Sequence, residues 1–116
     1  MTSLARRAAD SYLVCVNGRD LDGLVALFAA DAQLFAAGGQ KLAGRDEIRA
    51  FYEGTVLPSQ PNVLGARFVE QGDTCVMELE ATTPHGPGVT AHMIDVVTVD
   101  RVGRIERLAI YMQLGG

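Results

Sequence analysis

The sequence predicts an α+β fold in which three N-terminal helices cover the concave face of a strongly curved antiparallel sheet. Apolar residues follow helical spacing through the first third of the chain. From residue 63 onward, four segments have strand patterns and are joined by compact turns. The chain has 116 residues, 48% of them hydrophobic and 21% charged, which is enough for one globular domain (residues 1–116) and too few for two.

The helices are predicted from apolar spacing and capping residues. The first runs from near Ser3 to Asn17-Gly18, with Tyr12 on its apolar stripe. A second, shorter helix is capped by Asp20. The third begins near Gly44, with acidic residues in its first turn, and buries three side chains: Ile48, Phe51 and Tyr52.

A short strand over residues 32–36 is predicted to follow the second helix, which includes Phe28, and Gly38-Gly39-Gln40 then breaks regular structure. The four later strands are predicted at residues 63–71, 74–82, 89–100 and 104–112. The turns between them, at residues 72–73, 84–88 and 101–103, are short, so these strands should pair antiparallel in sequence order.

Asp95 stands out within this strand pattern. Alternation along residues 91–99 places it on the same face as Met93 and Val97, among apolar side chains. An ionised carboxylate buried without a partner is so unfavourable that the group finds a donor, a cation or a proton. A buried acid that accepts hydrogen bonds from the backbone or an arginine would be a structural feature. A buried acid that stays protonated could donate a hydrogen bond to a ligand.

Composition argues against several classes of partner and cofactor. The net charge is −4, and the arginines and the single lysine form no basic stripe, so neither nucleic acid nor an anionic membrane is expected as a partner. His85 and His92 have no neighbouring ligands at metal spacing, and no glycine-rich phosphate loop is present. We therefore expect no metal and no nucleotide cofactor.

Two features predict a cytoplasmic protein. Cys15 and Cys75 lie far apart, each in an apolar segment, which is typical of reduced core thiols. The N-terminus has no secretory signal pattern, and no stretch is long enough to span a bilayer.

Tyr12 and Asp95 are the candidate functional side chains. Both are predicted inside the fold, and a buried tyrosine hydroxyl usually finds a partner. The two groups could meet at one ligand oxygen or bond to each other, and their spacing in sequence does not decide between these arrangements.

The chain resembles the ketosteroid isomerases, within the superfamily named after nuclear transport factor 2 and also called SnoaL-like. The resemblance covers nearly the whole chain and depends on the order and spacing of six segments: residues 12–13, 20–21, 28–32, 44–52, 94–96 and 103–105. It implies a cystatin-like cone of bent sheet around the helices, an apolar pocket that opens at one end, and a homodimer formed through the sheet. No cofactor is implied.

The resemblance also implies roles for particular residues. These isomerases move a double bond in a 3-oxo steroid, and a tyrosine and a protonated aspartic acid donate hydrogen bonds to the oxyanion, a site that serves as a general example of a neutral carboxyl in catalysis. Tyr12 and Asp95 match these two residues, and Tyr52 matches a supporting tyrosine. Phe28 stands where some members have a third tyrosine.

The general base of the family is missing. Its aspartate corresponds to Ala36, which cannot accept a proton. Glu78 and Glu80 are predicted to point away from the pocket, and Glu53 to lie on the exposed side of its helix. No acid replaces the base, and losing one typically removes about 100- to 10,000-fold in rate.

Three interpretations follow. The chain is an isomerase whose base was lost, in evolution or by deliberate mutation. Alternatively, it is a polyketide cyclase or hydrolase-like enzyme of the same superfamily, or a non-catalytic module for ligand binding or dimerisation. The first is favoured because Tyr12 and Asp95 occur together, which the others do not require.

The pocket is predicted to accept an apolar, uncharged, polycyclic ligand with one carbonyl or phenol oxygen, such as a steroid. Nine residues are expected to line it: Val16, Phe51, Met77, Leu79, Met93, Val97, Leu108, Ile110 and Met112. The same residues would also suit a solid core.

Overall fold

A computed structural model describes residues 2–84 and 90–114 of the chain. Within them, helices pack on a curved, unclosed sheet in the predicted α+β arrangement. The helices are α1 (Leu4–Asn17), α2 (Leu21–Ala26) and α3 (Gly44–Phe51), and α3 continues into a π-helical turn (Tyr52–Val56) and a 3-10 turn (Leu57–Ser59). The strands are β1 (Phe28–Phe35), β2 (Lys41–Ala43), β3 (Asn62–Gln71), β4 (Thr74–Thr82), β5 (Thr90–Val99) and β6 (Ile105–Leu114).

The predicted helix starts are confirmed by their capping contacts. The Ser3 hydroxyl accepts a hydrogen bond from the Arg6 N–H, and the Asp20 carboxylate accepts one from the Gly23 N–H, each at 3.0 Å. At the start of α3, the Glu47 carboxylate accepts a hydrogen bond from the Ala43 N–H at 3.0 Å. None of the helices in the described part of the chain is long and apolar enough to cross a membrane.

The sheet has the order β2-β1-β6-β5-β4-β3. The antiparallel pairing of β3, β4, β5 and β6 in sequence order is confirmed. The predicted turn at residues 84–88 and the predicted start of β5 at residue 89 lie outside the described residues, apart from Pro84.

The first strand differs from its prediction. It begins at Phe28 instead of residue 32, and it runs parallel to β6. The Leu27 carbonyl accepts a hydrogen bond from the Ile105 N–H at 2.8 Å, so a partner distant in sequence draws this segment into the sheet. The three-residue strand β2 is an addition that the local pattern did not predict.

Rows of paired residues cross the concave face of the sheet. One row contains Cys75, Val97 and Leu108, and helix α1 packs across β4 and β5. The next row contains Met77, Asp95 and Ile110, followed by Leu79, Met93 and Met112. The core fills the first row and includes Met77 of the second, while Asp95, Ile110 and the third row face a cavity.

Candidate functional site

The cavity lies between the concave face of the sheet, helix α1 and the segment after α3. Its volume is about 450 Å³, within the range of small-molecule sites. It is lined by Tyr12, Val16, Ala36, Ala37, Gln40, Phe51, Thr55, Val56, Ser59, Pro61, Val63, Leu79, Ala81, Thr83, Ala91, Met93, Asp95, Ile110 and Met112.

Six of the nine predicted wall residues line this cavity: Val16, Phe51, Leu79, Met93, Ile110 and Met112. The structure differs for Met77, Val97 and Leu108, which are fully buried in the core. Helix α1 packs against β4 and β5, the strands of Met77 and Val97, and Leu108 is paired with Val97 in the same row. Alternation correctly placed these three side chains on the concave face, but it carries no information on where the helix ends and the cavity begins.

Asp95 is the buried acid that the strand pattern predicted. Its exposure is 2%, and its Oδ1 atom has no hydrogen-bond partner in the described residues. Burial disfavours the charged form and raises the pKa of the Asp95 carboxyl to about 7. Neither a backbone amide nor an arginine of the described chain satisfies this oxygen. A substantial fraction of Asp95 is therefore protonated at neutral pH and able to donate a hydrogen bond into the cavity.

Tyr12 and Tyr52 form a buried hydroxyl pair. Their oxygen atoms are 2.7 Å apart, and their rings meet edge to face with centroids 6.1 Å apart. Tyr12 lines the cavity, whereas Tyr52 lies behind it and is fully buried. If Tyr52 donates to the Tyr12 oxygen, the Tyr12 proton is free to point into the cavity.

The electrostatic surroundings keep both tyrosines neutral. Burial raises the pKa of the Tyr12 hydroxyl well above its usual value, and the nearby Tyr52 and Asp95 add to this shift. Burial likewise raises the pKa of Tyr52. The Phe28 ring lies 6.4 Å from the Tyr52 ring and offers no hydroxyl, so the network ends at Tyr52.

Tyr12 and Asp95 line the same cavity without a hydrogen bond between their side chains in the described structure. The arrangement in which they bond only to each other is therefore not the one observed. Tyr12 is neutral, and Asp95 is protonated in part at neutral pH, so the cavity offers two donors to a ligand oxygen that accepts two hydrogen bonds.

Ala36 lines the cavity across from Asp95. It follows the last residue of β1, Phe35, which pairs with Ala109, and the next residue of β6, Ile110, pairs with Asp95. Two strand spacings, about 10 Å, therefore separate Ala36 from Asp95. Among the described lining residues, Asp95 is the only acid.

The acids considered as replacements for a base lie elsewhere. Glu78 and Glu80 are exposed and line a shallow depression on the convex face of the sheet, as alternation predicted. Glu53 is also exposed. In residues 2–84 and 90–114, no group of three His, Cys, Asp or Glu side chains is arranged to hold a metal ion.

Sequence reasoning missed the rim of the cavity. The π-helical turn and the loop after it contribute Thr55, Val56, Ser59 and Pro61, and Gln40 and Thr83 add further neutral polar groups. Pro58 and Pro61 indicate a loop in this segment, but prolines alone do not give its path across the cavity.

A three-helix cap on a curved six-stranded sheet with this strand order places the chain in the nuclear transport factor 2-like class of folds. A model of the SnoaL-like domain family matches residues 9–108, and the chain belongs to that family. No curated protein matches the chain by sequence.

Several solved structures share the fold. The RV0760c protein of Mycobacterium tuberculosis is 20% identical over 99% of this chain and 98% of its own, with a TM-score of 0.86. Its complex with estradiol-17beta-hemisuccinate matches with a TM-score of 0.84 and 20% identity, over 97% of this chain and 100% of that one.

Two enzymes are also similar in fold. The Delta 5-3-ketosteroid isomerase of a Mycobacterium species is 22% identical over 98% of this chain and 100% of its own, with a TM-score of 0.81. The epoxide hydrolase/cyclase-like enzyme SalBIII, associated with pyran ring formation in the polyether salinomycin, is 20% identical over 94% of this chain and 90% of its own, with a TM-score of 0.83.

Proposed function

We propose that this protein binds a small apolar, polycyclic molecule through one carbonyl or phenol oxygen, which accepts hydrogen bonds from Tyr12 and from protonated Asp95. The observation that carries the proposal is the Asp95 Oδ1 atom, which is buried in an apolar cavity without a partner. A ligand oxygen at this point would satisfy a group that is otherwise costly to bury. The steroid complex of the structurally similar mycobacterial protein supports this class of ligand.

The chemistry that fits this pair of donors is isomerisation of a 3-oxo steroid through a dienolate. Tyr12 and neutral Asp95 stabilise the negative charge that develops on the carbonyl oxygen, while Tyr52 holds the Tyr12 hydroxyl. Ala36 occupies the position of the proton acceptor, so we propose a base-deficient isomerase in which binding exceeds turnover. The described lining residues include no histidine, which a dehydratase of this superfamily would need, and no second acid or arginine, which an epoxide hydrolase would need. The cavity therefore favours neither of these two alternatives.

Binding of equilenin, a steroidal phenol, tests the donor pair. Asp95→Leu replaces the carboxyl with an apolar group of the same branched shape and should weaken binding by about ten- to hundred-fold, the usual range for a strong hydrogen bond. Asp95→Asn keeps a neutral donor and should retain most of the affinity. Fluorescence titration measures both, and unchanged affinity in the leucine variant would contradict the role of Asp95.

Restoring a carboxylate at position 36 tests the catalytic part of the proposal. Ala36→Asp should raise the isomerisation rate of a 3-oxo-Δ5 steroid by at least about 100-fold, because a positioned base contributes on this scale. Ala36→Asn is the matched control, since it has the same shape without a basic carboxylate. The reaction is followed by ultraviolet absorbance of the conjugated product. Equal rates in the two variants, with equilenin binding intact, would overturn the isomerase assignment.

We further propose that the protein is a homodimer that associates through the convex face of the sheet. Ile94 and Tyr111 are paired across β5 and β6 on this face and are 41% and 58% exposed. Their strands lie in the middle of the sheet, so the exposed pair cannot be covered by the helices on the other side. A second copy would remove this apolar surface from water.

A further inference from the structure

The sheet has a notch beside the main cavity. Strand β1 ends at Phe35, opposite Ala109, while β6 continues to Leu114, so the last part of β6 has no neighbour on this side in the described residues. A second cavity of about 420 Å³ occupies the notch. It shares four wall residues with the main cavity: Ala36, Ala37, Ile110 and Met112.

The residues that separate the two cavities have small or flexible side chains. Ala36 and Ala37 have small side chains, and Met112 is flexible and 45% exposed. Gly38 and Gly39 continue the wall of the notch without side chains, and a Cβ atom at either would meet nothing within 4 Å. The notch also reaches around the edge of β6 to the convex face, where Phe35, Arg107 and Tyr111 lie. A substituent of a ligand in the main cavity could therefore extend past Ala36 to this edge of the convex face, beside the proposed dimer interface.

Two cations converge on the aromatic wall of the notch. The Arg107 guanidinium carbon lies 4.8 Å from the centroid of the Phe35 ring, and the Lys41 ammonium nitrogen lies 5.7 Å from it. Lys41 pairs directly with Phe35 between β2 and β1. Neither cation belongs to a salt bridge in the described part of the chain, whereas Arg6 and Arg49 each face an acid.

This local positive charge contrasts with the whole chain, whose net charge is −4. Of the described residues that line the main cavity, Asp95 is the only carboxylic acid, and none carries a positive charge. Arg107 is the only charged residue among the described residues that line the notch. The two connected spaces thus differ in chemistry: one is apolar with neutral donors, and the other is positively charged at its aromatic wall.

We propose that the notch is an anion subsite of the ligand-binding cavity and that the ligand carries a carboxylate or a sulfonate-like group in addition to its apolar body. This inference rests on the proposed function. The sequence predicted an uncharged ligand, whereas this inference gives the ligand one negative charge. That charge would lie beside Arg107 and Lys41 and not in the main cavity. Each exposed ion pair of this kind strengthens binding by up to about five-fold.

A matched pair of fluorescent probes tests the subsite. Anilinonaphthalene sulfonate and N-phenyl-1-naphthylamine share one apolar body and differ in the sulfonate. The wild-type protein should bind the sulfonate about three- to ten-fold more tightly than the neutral probe. Equilenin should displace both, which places them in the main cavity.

Removing the two positive charges then distinguishes binding at the subsite from general electrostatic attraction between the protein and the anionic probe. Arg107→Gln and Lys41→Gln together should bring the ratio of the two affinities close to one, while the affinity for the neutral probe stays unchanged. Arg101→Gln and Arg104→Gln together remove an equal charge in and next to the turn after β5, and they should leave the ratio as it is.

The outcomes separate this inference from the proposed function. An unchanged ratio in the double variant of Arg107 and Lys41, a similar fall in the control variant of Arg101 and Arg104, or dyes that equilenin does not displace would each overturn the anion subsite. Failure of equilenin itself to bind would overturn the proposed function and the subsite with it.

Discussion

Asp95 couples the folding of this protein to the chemistry of its cavity. Its Oδ1 atom is buried without a partner, and its pKa is raised to about 7 by burial alone. An acid in such a position weakens the fold when ionised and serves as a donor when protonated. The same physical cost that makes the residue unfavourable for stability makes it available to a ligand.

The raised pKa predicts how stability depends on pH. The folded state holds the Asp95 proton to about pH 7, whereas the unfolded state releases it near 3.8. The stabilisation from this proton is complete at pH values below the pKa of the unfolded state. It is lost as the pH rises through the pKa of the folded state, at up to about 1.4 kcal/mol per pH unit. Asp95→Asn has no such proton, so its free energy of unfolding relative to wild type should rise by a few kcal/mol between pH 4 and 7.

Urea unfolding of the wild type and of Asp95→Asn at several pH values measures the difference between their free energies of unfolding. Taking this difference cancels the contributions of the other carboxylates. The difference should level off above pH 7. A constant difference across the range would mean that Asp95 titrates normally in the folded protein.

At the scale of elements, the end of helix α1 is tied to the strand that borders the cavity. The Asn17 side chain donates a hydrogen bond to the Val63 carbonyl at 2.9 Å and accepts one from the Val63 N–H at 2.8 Å. It thus replaces a missing strand neighbour at the start of β3. Because Val63 lines the cavity, this contact also positions part of the wall.

Asn17→Ala should lower the free energy of unfolding by about 1–2 kcal/mol, because both Val63 backbone groups lose their partner. Asn17→Asp keeps the acceptor for the Val63 N–H and should show a smaller loss. Denaturant unfolding gives both values, and equilenin titration should show weaker binding in the alanine variant. An alanine variant as stable as wild type would exclude a structural role for this contact.

At the scale of the whole molecule, the two faces of the sheet have different surroundings. The concave face holds the core and the cavity, and the convex face leaves Ile94 and Tyr111 in contact with water. The convex face also has Glu78, Glu80 and His92 around this apolar pair. We expect a polar rim of this kind around an interface between two copies.

The dimer is tested by sedimentation velocity. The wild-type protein should sediment at twice the chain mass of 12.4 kDa. Ile94→Lys should shift it to the monomer, since a charge buried at a twofold interface meets its own copy. Val102→Lys adds the same charge at a residue that is 71% exposed in a turn, and it should leave the dimer intact. A wild-type monomer at high concentration would overturn the proposal.

Local sequence patterns predicted the starts of the helices, the four later strands and the face on which Asp95 lies, because alternation and helical spacing record which side of an element avoids water. The same patterns placed Tyr12 inside and Glu78 and Glu80 outside. Resemblance to a family added Ala36 and Tyr52 to the candidate site.

Only the tertiary structure decided the features that depend on partners distant in sequence. Phe28 begins a strand because β6 offers it hydrogen bonds, and Met77 is fully buried in the core whereas Leu79, on the same face, also lines the cavity. The lack of a partner at Asp95 Oδ1 and the notch beside Phe35 likewise follow from where separate elements end. A residue's own sequence neighbours set its face, but the packing of distant segments sets whether that face meets a core, a cavity or a ligand.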